Sequence, residues 1–486
     1  MKKIYLILLV LVVASCTKNF EDMNTDTKNP TKVPGTALFS NAEKNLADQL
    51  ASINVNLNVY KIWAQYITET TYTDEANYDV VNRTIPDHAW RIYYRDVLKD
   101  FQEATKVINE TQYLPTEADK KQNQLAIIEI LNVYTWQRMV MMWGDIPYSE
   151  ALDIDNTTPK YDDAVTIYKD LFKRLDAAIG KLKTSAESFG SADIIYGGDV
   201  AKWKTFANSL KVKLAIGVVD YSGLQTEVTG ALSSALSDGI FTSNADAAKF
   251  QYLGAIPNAN PVYEDLVASG RHDFVATNTM LDIMNPYNDP RRPLYYQARD
   301  TSTTGTPKLA FLGGIYGANN AYDNYSPPGT ALEDPTMPCV LLDFTELQFY
   351  LAEFAAKGFT TPKTAEEYYN AGIESSILYW GGSASDVSTY LAEDSVKWAT
   401  ASGSDLQKIA RQSWIASFNR GFIGWTTWRR LDYPILNPPP GVNYSNIPVR
   451  MIYPINEQTL NGDNYKAAST AIGGDVLTTK LFWDIH

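Results

Sequence analysis

From Tyr161 to Leu182 the apolar residues return every three or four positions: Tyr161, Ala164, Val165, Tyr168, Leu171, Phe172, Leu175, Ala178, Ile179, Leu182. Over about six turns at 3.6 residues each, that period sets every apolar side chain on one stripe of a helix. A stripe this long must be covered by a partner, so the chain is constrained to pack helix against helix. Pro159 precedes the run, and Asp162 and Asp163 put acid at its start, where the helix dipole favours it. A second helix is predicted after Gly197-Gly198-Asp199, with Trp203, Phe206, Ala207, Leu210 and Leu214 on one face and Asp199 as N-cap. Leu125 to Trp143 is apolar on nearly all sides yet broken by Glu129, Asn132, Gln137 and Arg138. It reads as a buried bundle helix, because a lipid-facing span would not carry those residues.

A later pair repeats the design. Glu346 to Gly358 is predicted as one helix, with Leu347, Tyr350, Leu351 and Phe354 buried; Gly358 and Pro362 end it, and Thr364 caps the next. An Ala-Ala-x-Gly ending and an Ala/Tyr-rich return helix resemble a tetratricopeptide-type hairpin, although no strict 34-residue repeat is present. The expected class is therefore mainly α, built of helical hairpins. Two long stretches lack any period: Phe250 to Asp343 and Pro434 to His486, both rich in Gly, Pro, Asn and Tyr. Irregular segments of this length are functional or disordered, and their aromatic content favours ordered loops on a helical scaffold.

The N-terminus carries a different message. Lys2 and Lys3 precede an apolar run from Ile4 to Ala14, and Val13-Ala14-Ser15-Cys16 follows. A charged start, a short apolar core and small residues describe a secretory signal over residues 1–15. A cysteine directly after them resembles a bacterial lipobox, in which the Cys16 thiol is diacylated and Cys16 becomes the mature N-terminus. Three acyl chains anchor far more firmly than one. Residues 16–34 are polar, a tether by composition, and residues 35–486 are expected to form a single α-helical domain.

The formal charge is −14, or −16 once Lys2 and Lys3 leave with residues 1–15. That acidity argues against nucleic acid as a partner and against docking on anionic lipid heads. Only Cys339 would remain beside a lipidated Cys16, so no disulfide within the chain is expected. His88, His272 and His486 are scattered, with no zinc-ligand spacing, and no metal or cofactor is expected. The 31 Tyr and 11 Trp stand out, because flat rings with polar tips suit a surface that stacks on sugars or grips peptides.

Eight short motifs occur in one order. Asn19-Phe20-Glu21-Asp22-Met23-Asn24 with Asp26 to Pro30 comes first, then Trp143-Gly144-Asp145-Ile146-Pro147-Tyr148-Ser149-Glu150-Ala151 and Pro159-Lys160-Tyr161-Asp162. Asp193 to Asp199 follows, with Trp203 and Asn208-Ser209-Leu210-Lys211, and then Asn288-Asp289-Pro290-Arg291. Glu346 with Ala352-Glu353, Arg429-Arg430 before Tyr433-Pro434, and Pro448-Val449-Arg450 through Tyr453-Pro454 to Glu457 complete the set. Behind a lipobox, this order resembles the SusD/RagB superfamily of Bacteroidetes surface lipoproteins, in its SusD-like branch. The resemblance implies a helical fold with four helix-turn-helix units and irregular segments forming the ligand face. It also implies a lid on a SusC-type TonB-dependent outer-membrane transporter, capturing glycan or, in some members, peptide, with no reaction catalysed. The expected location is the outer membrane, held by acylated Cys16. The motif residues themselves have a structural explanation: Gly144, Gly198, Pro147 and Pro290 suit turns, and Arg429 and Arg430 could pair with Glu353 or Glu457.

The ligand candidates are aromatics in the irregular segments. Tyr316, Tyr322 and Tyr325 lie among Gly, Asn, Asp and Pro and are the leading candidates; Tyr296 lies just before them. Tyr72, Tyr78 and Trp90 bracket a polar loop, where Tyr78 and Trp90 also fit structural roles. Gly313-Gly314 and Gly317 would let backbone approach a ligand or turn sharply. A glycosidase needs two carboxylates across a cleft, and no signature singles out a pair such as Asp74 and Glu75. The remaining rivals are a peptide-uptake protein and a helical scaffold that binds only proteins.

Overall fold

The computed structural model describes residues 33–303 and 305–486. The signal over 1–15, Cys16 and nearly all of the 16–34 tether lie outside the described residues.

Helices α1 (Gly35–Ala51), α2 (Lys99–Glu110), α3 (Ala118–Trp143), α4 (Ala164–Lys181), α5 (Val200–Gly217) and α6 (Gln225–Asp238) occupy the first half of the chain. The second half adds α7 (Phe344–Ala356), α8 (Ala365–Tyr379), α9 (Asp405–Ala416), α10 (Gly421–Leu431) and α11 (Gly462–Ala471). They pack in pairs: α1 on α2, α3 on α4, α5 on α6, α7 on α8, α9 on α10. The mainly α, hairpin-built architecture expected from the periodicity is what the chain adopts. Among the described residues, no helix is long and apolar enough to cross a membrane.

The caps follow the sequence closely. Asp199 accepts from the Ala201 and Lys202 N–H groups, satisfying donors that α5 cannot use internally. Thr364 caps α8 in a capping box with Glu367. Two boundaries differ from expectation. Tyr161 and Asp162 lie outside α4, in strand β3 (Tyr161–Asp162), which pairs with β2 (Ile146–Pro147). The helix is capped instead by Asp163, which accepts from Thr166 N at 2.7 Å. The stretch from Pro434 to His486, read as irregular, contains α11.

Helix α3 is buried on most of its circumference, as its uniform apolarity requires. Trp63, Trp143, Trp203, Trp414 and Trp425 are fully buried, and the core cluster runs from Phe39 to Trp483. The motif residues serve this interior. Trp203 Nε1 donates to Asp193 at 2.6 Å, and Arg430 pairs with Glu353 at 2.7 Å. Arg429 lies over the Trp425 ring, 3.4 Å from its centroid, and donates to the Met141 and Val449 carbonyls. Glu457, the other acid considered for the arginines, instead accepts from the Tyr161 hydroxyl. Lys213 and Arg420 converge on Glu346 and together hold its carboxyl below its ordinary range, although burial opposes them. Arg430, Lys213 and Arg420 thus meet carboxylates in the interior, the condition under which buried charge is tolerated. Cys339 is buried, in no disulfide among the described residues, and burial pushes its thiol up to about 12.

Candidate functional site

Three irregular segments are tied together by strands too short to form a real sheet. β1 (Ile67–Glu69) pairs antiparallel with β4 (Phe274–Ala276), Thr68 opposite Val275. Past the strand ends the pairing continues: Thr70 N donates to Asp273 O, and Thr70 Oγ1 donates to His272 O. The third segment is pinned to both. Gly314 N donates to Ala276 O, Ala276 N to Ser326 O, and Asn320 N to Thr70 O. Asn320 is buried, and its amide donates to the Glu69, Ile315 and Ala318 carbonyls while accepting from Ile315 N. This one side chain welds the loop before Tyr322 to β1. Asn77 adds a further tie, donating to Gly317 O at 2.9 Å.

The candidate tyrosines divide sharply on this frame. Tyr316 is 1% exposed, its ring 6.3 Å from that of Tyr78, itself buried. Tyr296 is wholly buried, donates to Tyr66 O at 2.6 Å and meets Phe418 edge-on. Neither ring can stack on a ligand in this conformation; both are core residues supplied by a loop, and so is Tyr78. Trp90 is half-buried in a separate aromatic cluster with Tyr94, Trp143, Tyr161 and Tyr453. The glycines likewise serve packing. A Cβ on Gly313 would collide with the Thr277 carbonyl, and one on Gly317 (φ +73) would lie 2.6 Å from Pro439.

What remains at the surface is Tyr72, 70% exposed, with half-buried Tyr322 and Tyr325. Tyr322 stacks face to face on His272 at 4.2 Å, and the Arg299 guanidinium lies 4.9 Å from the same ring. Arg299 is fixed by donating to the Tyr322 and Tyr325 carbonyls. Burial raises the Tyr322 phenol despite the arginine. His272, Arg299 and Tyr444 were not among the sequence candidates. Tyr444 is 43% exposed and close enough to Tyr78 to add to the upward push that burial gives that phenol.

Tyr72 borders a polar pocket of about 110 Å³, whose wall includes Glu69, Thr71, Arg83, Arg271 and Asp273. Arg271 pairs with Asp273 at 2.6 Å and Arg83 with buried Glu75 at 2.5 Å. Asp74, the other acid of the pair considered for catalysis, is 3.8 Å from Arg83. Burial, and next the hydrogen bond to adjacent Glu75, push the Glu69 carboxyl well above its ordinary range. The Glu69 carboxyl also accepts from Ala76 N, bracing the turn that carries Tyr72. Tyr72 itself has φ 54, a strained conformation for a tyrosine. An exposed ring beside clustered amides, guanidinia and carboxyls can stack on an apolar sugar face and hydrogen-bond its hydroxyls. Among the described residues, no group of three or more His, Cys, Asp or Glu is arranged to hold a metal.

Comparison with known families decides the relationship. The model of a SusD-like family, described as starch-binding associating with outer membrane, matches residues 27–454. The chain belongs to this SusD-like family. Solved SusD-like structures share the fold along nearly the whole chain. A SusD homolog from Bacteroides uniformis is 25% identical with a TM-score of 0.78, covering 93% of this chain and 99% of that one. A chitin-binding SusD homolog from Flavobacterium johnsoniae is 24% identical with a TM-score of 0.77, at the same coverage. A further chitin-binding protein, also 24% identical, reaches 0.79 over 93% of this chain and all of its own. A search of curated protein sequences finds no match.

Proposed function

We propose that this SusD-like protein is a nutrient-binding lipoprotein of the outer membrane that captures an oligo- or polysaccharide at the Tyr72 face. The captured glycan is then passed to a SusC-type TonB-dependent transporter. The observation that carries the glycan reading is the exposed Tyr72 ring at the mouth of a polar pocket, with Tyr322, His272 and Arg299 held nearby. The family description and the chitin-binding relatives support it. The transporter partner and the acyl anchor on Cys16 rest on the motif order and the lipobox. Binding, not turnover, is the proposed role, in keeping with the family description.

The test is calorimetry of the purified full chain with soluble chitin and starch oligosaccharides in parallel. Saturable heat with one of them, and intact sugar recovered afterwards, is the expected result. Silence with both glycans together with binding of short neutral peptides would move the protein to the peptide-uptake reading. For the anchor, Cys16→Ala should release the protein from outer-membrane fractions without unfolding it. Retention of that variant on membranes lacking any transporter would remove the lipid-anchor assignment.

A further inference from the structure

Three cations converge between α3, α5 and the start of α10: Arg138, Lys213 and Arg420. Burial pushes the Lys213 ammonium down, Glu346 opposes it, and the charges of Arg420 and Arg138 add to the push. Two carboxylates serve the three. Glu346 takes Lys213 at 2.5 Å and Arg420 at 2.8 Å, and Asp343 takes Arg420 at 3.2 Å. Among the described residues, Arg138 is left without a carboxylate. It is 4% exposed, and its guanidinium lies 3.8 Å from the centroid of the Phe422 ring. Its Nε donates to the Tyr93 hydroxyl at 2.6 Å, which leaves the four N–H groups of its two terminal nitrogens without a partner among the described residues. Arg138 lines a cavity of about 40 Å³, walled also by Tyr134, Cys339, Asp343, Arg420 and Phe422. That is room for an ion and a water or two, at about 10 to 15 Å³ for each. Nothing on the wall balances the charge. Asp343 is the single acid there and is committed to Arg420 and the Glu346 N–H. Cys339, with its thiol pushed up to about 12 by burial, is neutral. Lys61, close enough for its charge to be felt by Cys339, is a further cation and donates only to the Ala51 and Ser52 carbonyls.

We propose that this cavity binds a monovalent inorganic anion of chloride's size, held by the terminal N–H groups of Arg138. An uncompensated guanidinium in the interior is costly, and an anion beside it restores the pairing that Lys213 and Arg420 obtain from carboxylates. The cavity's small volume selects a single halide-sized ion over a sugar or a phosphate ester. The ion would tie α3, which carries Arg138, to the start of α10 and to the Cys339–Leu342 strand, so its role is to brace the scaffold. The proposal stands whether or not the Tyr72 face binds glycan.

The experiment is anomalous diffraction from crystals of the full chain, grown in detergent with sodium bromide in place of chloride. A bromide peak inside the cavity, in contact with the Arg138 terminal nitrogens, is the expected result. Water alone at that position, or bromide only on the molecular surface, would overturn the proposal. A melt in solution reads the same site. At constant ionic strength, raising chloride about tenfold against gluconate should lift the melting temperature by about 1 to 3 °C, the mass-action scale for one site in a chain this long. Arg138→Met keeps an unbranched stem against Phe422, removes the charge and should flatten that dependence. An equal chloride response in the variant would assign the effect to bulk salt and count against the site. Should the variant melt too early to be read, the bromide map of the wild type decides alone.

Discussion

Tyr316 and Tyr72 come from equally irregular sequence, yet one is a core residue and the other stands in solvent. The helical scaffold shows no such split: Tyr168 and Trp203 are buried as their stripe demands. In a helix, position along the chain fixes the face, because 3.6 residues make a turn. In a loop it does not. Burial there is decided by long-range ties such as β1 to β4 and Asn320 to Glu69. The irregular region is thus two things at once, an inner layer as well packed as the helices and an outer layer open to solvent.

The largest effect should come from the ion pair that bolts the inner layer to the scaffold. Arg291 and Asp289 are buried at 2.6 Å, and Arg291 also donates to Gln412 on α9. Arg291→Met leaves a buried carboxylate alone and should cost about 3 to 5 kcal/mol in a denaturant melt. A loss below about 1 kcal/mol, the range of an exposed pair, would mean the irregular region is not locked to the helices.

Next comes the contrast itself. Tyr316→Ala should destabilise by about 3 to 5 kcal/mol, the scale for large-to-small core changes. Tyr72→Ala should stay within about 0.5 kcal/mol of wild type, as surface substitutions do. Similar melts for the two variants would erase the division into layers.

A smaller, pH-dependent effect should come from Glu69. Its folded pKa lies above its unfolded value, so between the two the native state holds a proton that the unfolded state has lost. Stability contributed by this group therefore falls as pH rises above about 4.3, the ordinary glutamate value, and is at its full value below it. Glu69→Gln keeps a neutral donor and removes the titration. Its melting temperature should match wild type at pH 4 and exceed it at pH 8. The opposite order would show that Glu69 is ionised in the fold.

The helices were legible because caps and period are local signals: Asp199, Thr364 and the α5 stripe all sit where the sequence puts them. The α4 start was misplaced because Tyr161 fits the helical stripe while its backbone pairs with Ile146–Pro147, a contact no local pattern announces. The site was legible only in outline. The loops were identified, and Tyr72 and Tyr322 were among the candidates. But His272 lies two residues before a three-residue strand, and Arg299 on a two-residue one. Neither position has a period, and both gain their place through Tyr322. Tyr444, about 120 residues further along, reaches the same region through the Gln65–Asn437 hydrogen bonds and the packing of Gly317 on Pro439.

The most direct test of the outer layer as a glycan face is calorimetry of wild type, Tyr72→Ala and Tyr316→Phe with whichever chitin or starch oligosaccharide binds. Tyr316→Phe keeps the core filled and is the control. Tyr72→Ala should weaken binding by about 1 kcal/mol or more, the scale of aromatic stacking beyond buried area, while Tyr316→Phe binds as wild type does. Undiminished affinity in Tyr72→Ala, with its melt unchanged, would contradict the account.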